Sequence, residues 1–202
     1  MATVTQSNIT LRGSTKIVVE FFDYAINSIL YQRGIYPPED FEQKKKYGIS
    51  IMVAKDAGLR DYMNQILSQL TSWLMTGDIQ KLVVVIADNQ TKETKERWNF
   101  DIQTDMEMAM TGSDKPQSEI VAEIRTIIRQ ITSSVTYLPL LENPCTFDLL
   151  VYTSKKTDIP ETWEESEPKY IVNSDQVKLY SFNTKIHQVD SLVSFKSNLV
   201  AE

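Results

Sequence analysis

SEIVAEIRTIIRQITSS, residues 118–134, is the stretch on which the fold turns. Ile120, Ile124, Ile127, Ile128 and Ile131, followed by Val135, recur at helical spacing and form one apolar stripe. β-Branched residues are only moderate helix formers, so such a helix persists by burying its stripe, most simply across a sheet. Ser118, just past Pro116, is placed to cap it, with Glu119 near the positive end of the helix dipole. The opposite face carries Arg125, Thr126, Arg129, Gln130 and Ser133. Its two arginines, four residues apart, repel slightly and have no intrahelical acid between them. A solvated face and a docking surface for an acidic partner or a second copy both fit that pattern.

Upstream, a weak alternation over residues 3–11 suggests a short edge strand. Residues 14–32 predict a helix with a wide apolar stripe (Ile17, Val18, Phe21, Phe22, Ala25, Ile26, Ile29, Leu30). Gly34 suits a left-handed C-terminal residue, and Pro37-Pro38 prevents continuation. Lys44-Lys45-Lys46 reads as a solvated turn and residues 49–53 as a short strand. Asp56 caps a further helix whose stripe runs from Leu59 to Leu74, and Gly77 stops it. Residues 81–86, KLVVVI, form a continuous β-branched run, as expected of a strand covered on both faces. In the next strand Trp98, Phe100 and Ile102 alternate with Arg97, Asn99 and Asp101, predicting a hairpin partner with one wet face. Residues 105–117 read as a mobile surface loop.

Downstream, residues 145–153, CTFDLLVYT, are apolar on both faces and predict a long strand. From Ser154 to Asp175 no period emerges, yet Trp163, Tyr170 and Ile171 sit among the acids Asp158, Glu161, Glu164, Glu165 and Glu167. An aromatic-anchored strap and a packed surface loop both account for that mixture. Residues 177–195 fit strand and helix periods about equally beyond Leu179, which leaves either an ordinary edge strand or a segment with two docking modes. Few strands alternate with helices, so the fold class is α+β: three helices on one face of a mainly antiparallel sheet.

The 202 residues, 42% hydrophobic, suffice for one domain, and the net charge of −6 argues against a mainly electrostatic nucleic-acid binder. No window is long and apolar enough to span a membrane. Cys145 is the single cysteine and His187 the single histidine, so neither an intramolecular disulfide nor an ordinary zinc site is expected. Gly13-Ser14-Thr15-Lys16 lacks the order of a phosphate loop, and no nucleophile elbow or oxyanion glycines accompany His187. No catalytic residue, metal or cofactor is therefore expected, which points to a binding module.

Several stretches closely resemble the spindle-checkpoint members of the HORMA-domain family: residues 10–14 (TLRGS), 27–37 (NSILYQRGIYP), 80–86, Arg97-Trp98, 128–132 (IRQIT), 138–142 (LPLLE), 163–166 (WEES) and Ser181-Phe182. The likeness spans nearly the whole chain, with residues 40–60 and 103–117 diverging most. It implies a single HORMA domain over residues 1–202, with a core at 1–153 and a mobile C-terminal safety belt from about 154 to 202. The belt switches between open and closed arrangements and, when closed, traps a partner's peptide as an added strand. By resemblance the peptide pairs beside Leu149, Leu150, Val151, Tyr152 and Thr153, with Trp73 and Tyr152 as lining and Trp163 holding the belt. The family's pairing of an open with a closed copy maps onto Arg125, Arg129, Gln130 and Tyr137, where relatives carry phenylalanine at the last position.

The implied function is an adaptor that traps partner peptides and inhibits the anaphase-promoting complex by sequestering its activator subunit. The implied partners also include a coiled-coil kinetochore scaffold, other mitotic checkpoint complex subunits, a second copy of the chain, and a HORMA-remodelling AAA+ ATPase with its adaptor. Neither nucleic acid nor membrane is among them. Nucleus, kinetochore and cytoplasm are the implied locations. The alternative is a HORMA adaptor in translesion DNA repair or in meiotic chromosome-axis assembly.

Overall fold

The computed structural model describes residues 8–197. Its first helix, α1 (Leu11–Gln32), begins three residues earlier than the apolar stripe predicts, because Thr10 Oγ1 accepts from Gly13 N at 3.1 Å and caps it there. Of the expected N-terminal strand, residues 3–7 lie outside the described residues, and Ile9 makes only one bridge, to Ser113. A hairpin follows: β1 (Phe41–Lys46) and β2 (Ile49–Ala54). Lys44, Lys45 and Lys46 are thus strand residues rather than a turn. The hairpin has only two strands and carries the lysines on its exposed edge; within β1 only Phe41 is buried, turned against the Tyr31 ring at 5.2 Å.

Helix α2 (Ala57–Thr76) is capped by Asp56 Oδ1, which accepts from Leu59 N at 2.8 Å. It ends at Gly77, whose φ of +74° is the left-handed conformation glycine adopts without strain. The sheet is entirely antiparallel, in the order β5-β3-β4-β7-β6. β3 (Ile79–Asp88) is flanked by strands on both sides and completely buried from Leu82 to Ile86, as its unbroken β-branched run requires. Its neighbours are β4 (Thr94–Thr104) and β5 (Cys145–Thr153).

Between β4 and β5 lie two helices. Residues 105–117 are not simply a loop: Asp105 Oδ1 accepts from Met108 N at 2.8 Å and starts a short helix, α3 (Met106–Thr111). Then comes α4 (Gln117–Ser133), where Ser118 falls inside the first turn and Pro116, without a side-chain cap, precedes it. Its five isoleucines are buried. Val135 is 47% exposed, because the α-helix gives way at Ser134 to a 3-10 turn and the stripe's period is lost.

After an irregular segment from Ser154 to Asn173, β6 (Ser174–Asn183) and β7 (His187–Lys196) form a hairpin docked on β4. The strand period wins here: His187, Val189, Ser191, Val193 and Phe195 all face the helices and are buried. His187 is satisfied internally. Its Nε2 donates to the Leu74 carbonyl at 3.2 Å, which leaves Nδ1 to accept from Ser14 Oγ at 2.7 Å. Ser14 in turn accepts from Thr184 Oγ1 at 2.5 Å. Burial lowers the imidazole's affinity for a second proton.

Candidate functional site at the free edge of the sheet

β5 is hydrogen-bonded to β3 on one side, and among the described residues no strand pairs with its other side. Such an edge presents unpaired backbone donors and acceptors along nine residues, from Cys145 to Thr153. Side chains alternate across it. Phe147, Leu149 and Val151 join the core beneath the helices, whereas Asp148, Leu150 and Tyr152 face the outer side of the sheet.

The irregular segment passes round this edge. It departs from the end of β5, where Ser154 N donates to the Asp78 carbonyl at 2.8 Å and Ser154 Oγ to Asp78 Oδ1 at 3.2 Å. Trp163 then meets Trp73 of α2 edge-on, with ring centroids 5.0 Å apart, on the helix side. Only six and seven residues later the chain is on the outer side. Lys169 Nζ lies 2.5 Å from Asp148 Oδ2, and the Tyr170 ring lies 4.7 Å from the Arg97 guanidinium. Residues 154–173 are therefore a strap about the β5 edge. Arg97 and Asn99, whose face the alternation predicts to be wet, are buried on that outer side.

Strap, α2 and β5 enclose a cleft of about 1000 Å³. Its walls are Tyr62, Gln65 and Gln69 of α2, Asp148, Leu149 and Leu150 of β5, and Thr162, Trp163, Glu164, Ser166 and Lys169 of the strap. Of the residues that the resemblance implies for peptide binding, Leu149, Leu150 and Trp163 line this cleft together. Trp73 lies behind Trp163, buried, and Tyr152 is on the opposite side of the sheet, where its hydroxyl accepts from Arg97 Nη2 at 3.3 Å. The two do not share a wall. Val151 and Thr153 lie further along the same edge, half-buried. The α2 residues escaped the sequence reading because Tyr62 fits the core stripe, although 41% of it is exposed. No periodic signal marks Lys169.

The four residues matched to pairing of copies, three on α4 and Tyr137 just past the 3-10 turn that follows it, have different employment. Arg125 Nε donates to the Tyr47 carbonyl at 2.6 Å and its guanidinium closes over Gly48, so it holds the β1–β2 turn. Gln130 Oε1 accepts from Tyr180 N at 2.7 Å, which ties α4 to β6. Arg129 is exposed and makes no hydrogen bond or ion pair among the described residues. Tyr137 is 39% exposed and tilts against Phe195 at 6.4 Å. No cluster of three or more potential metal ligands occurs among the described residues, and no described helix is long and apolar enough to cross a membrane.

A helix-backed antiparallel sheet with a C-terminal strap around its open β5 edge defines a HORMA domain, and the chain belongs to that family, whose model matches residues 14–190. The resemblance is closer than the family alone. The chain is 57% identical over 196 residues to the mitotic spindle assembly checkpoint protein MAD2A of Dictyostelium discoideum, covering 96% of this chain and 97% of that one. It is 51% identical over 193 residues to MAD2A of Homo sapiens, covering 95% and 94%. A chain in a solved structure described as the crystal structure of the mitotic checkpoint complex superposes with a TM-score of 0.84 at 42% identity, covering 92% of this chain and 99% of that one.

Proposed function

We propose that this chain serves the spindle assembly checkpoint by capturing partner peptides as an added strand on β5, held under the 154–173 strap. The observation that carries the reading is the nine-residue edge with its cleft, enclosed between Trp163 on one side of the sheet and Tyr170 on the other. Strand addition supplies main-chain hydrogen bonds for affinity and alternate side-chain pockets for selection. A strap closed across the added strand slows release, because the strap must open first. The checkpoint assignment is supported by the relatives at 57% and 51% identity, which fit translesion repair or axis assembly less well.

The partners that suit this role are a coiled-coil kinetochore scaffold and the activator of the anaphase-promoting complex, the second being sequestered so that the ligase stays inactive. A remodelling AAA+ ATPase with its adaptor would reopen the strap. Core residues 1–153 and a belt from 154 onward are the functional division, and nucleus, kinetochore and cytoplasm the places of work. The structure has the hairpin β6–β7 on β4, the far side of the sheet from the β5 edge. We assign it to the closed arrangement; in the open one the C-terminal segment would cover β5 itself.

Fluorescent peptides tiling the scaffold and the activator test the proposal by anisotropy. The intact chain is expected to retain one of them with slow release, and a chain ending at Leu192 is expected to lose capture while staying folded by circular dichroism. That truncation removes Val193 and Phe195, the register partners of Trp98 and Glu96. Undiminished retention by the truncated chain would refute the strap.

A further inference from the structure

Arg97 is an anomaly. It is 7% exposed, yet among the described residues no carboxylate is ion-paired with it, and its Nε has no hydrogen-bond partner. Its compensation is the Tyr152 hydroxyl at 3.3 Å and the ring of Tyr170 at 4.7 Å. A guanidinium withdrawn from water without an acid is costly, and an aromatic face held over it offsets part of that cost. The ring belongs to the strap, so burial and compensation arrive together when the strap crosses this face. Lys169, the residue before, is held at a left-handed φ of +49° and reaches Asp148. Asp148, Val85 and Arg97 are successive register partners across β5, β3 and β4. The two strap contacts therefore fall at the ends of one row, and Val85 between them is completely buried.

We propose that Arg97 and Tyr170 form a latch on the outer face that sets how long a strand captured at the β5 edge is retained, a role that rests on the strand-capture reading above. Arg97 is a positioning residue: it touches the strap rather than the captured strand. Residues 164–168 bridge the edge between this latch and Trp163, so freeing either end opens the loop around the peptide. The Lys169–Asp148 pair is about a third to a half exposed and contributes less.

The test uses the full chain and the tightest-binding fluorescent peptide from the tiling series. The Tyr170 ring is 69% exposed, so its contact with the guanidinium is worth roughly a few-fold in rate, and Tyr170→Leu and Arg97→Met should each release peptide about threefold faster. The double variant should be no faster than either single one, and Tyr170→Phe should behave as wild type. Unchanged release in Tyr170→Leu, or effects that multiply, would overturn the latch, because multiplying effects mark two residues that act independently of each other. Should the wild-type chain retain no peptide, strand capture fails, and hydrogen exchange of residues 162–172 in the unliganded chain decides the latch alone. Exchange about threefold faster in both single variants supports it, and unaltered exchange refutes it.

Discussion

The two faces of the sheet share a backbone and differ in what covers them. On the helix side Phe21, Phe22, Phe100 and Phe182 interlock edge-to-face, and every strand contributes apolar side chains to one continuous core. On the outer side, opposite the same β4 residues, the cover over Arg97 is a strap with no secondary structure. The helix cover is built from long stripes that cannot leave without unfolding the domain. The strap meets its face mainly through single side chains, at Asp148 and Arg97, which makes it the part able to come and go. On the strand-capture reading, a sheet covered by helices on one face and by a strap on the other is one whose β5 edge the strap opens and closes.

The sharpest way to break this contrast is to compare one residue from each face. Phe100→Ala removes a fully buried ring from the helix side and should cost about 3–5 kcal/mol of unfolding free energy in urea titrations. Tyr170→Leu, from a side chain 69% exposed, should change the same quantity by less than about 1 kcal/mol while altering strap exchange. Equal losses would mean that the strap is as much a part of the core as the helices are.

Much of the permanent face was legible in the sequence, because burial imposes a period. The isoleucine stripe of α4, the stripe of α2 with its Asp56 and Gly77 boundaries, and the run at residues 81–86 all appear where the pattern puts them. The strap-covered face was not legible in the same way. Arg97 and Asn99 read as wet because alternation reports only that two faces differ, and cannot register a cover that lies some seventy residues downstream. The same limit hid Tyr62 and Lys169 from the cleft, and separated Trp73 from Tyr152 only once the sheet was built. In residues 177–195 the helical and strand periods were tied. Pairing with β4 resolves them, since the strand register places Val189 and Val193 opposite Ile102 and Trp98.

Acidification probes the docking of the β6–β7 hairpin, with a smaller effect than Phe100→Ala. His187 is carried on β7, and its partners Ser14, Thr184 and the Leu74 carbonyl are uncharged. Burial holds its pKa below the ordinary value of 6.5. When β7 undocks, the imidazole regains that ordinary affinity and binds a proton that the docked form refuses. Stability of the docked hairpin is therefore fully present above about pH 6.5 and declines as pH falls below it, by at most about 1.4 kcal/mol per unit. Because the chain has one histidine, the interval from pH 6.5 to 5 isolates this group from the carboxylates. Hydrogen exchange over residues 174–196 should accelerate in that interval in wild type and stay flat in His187→Gln. An identical acid response in both would assign it elsewhere.

The smallest expected change in stability falls on α4, where the contrast extends to the helix surface. Arg125 and Gln130 are already engaged by Tyr47 and Tyr180, so reversing charge or shape at either would disturb the fold as well as any docking. Arg129 is exposed and unengaged among the described residues, so Arg129→Glu should shift unfolding by no more than about 0.5 kcal/mol. If the α4 face receives a second copy, the same substitution should abolish self-association in sedimentation velocity and leave capture of the fluorescent peptide at its wild-type lifetime. The two readouts separate the surfaces: Arg129 is on α4, whereas the cleft is walled by α2, β5 and the strap. Loss of peptide together with loss of self-association would show the surfaces to be one, and retention of both would remove α4 from the pairing of copies.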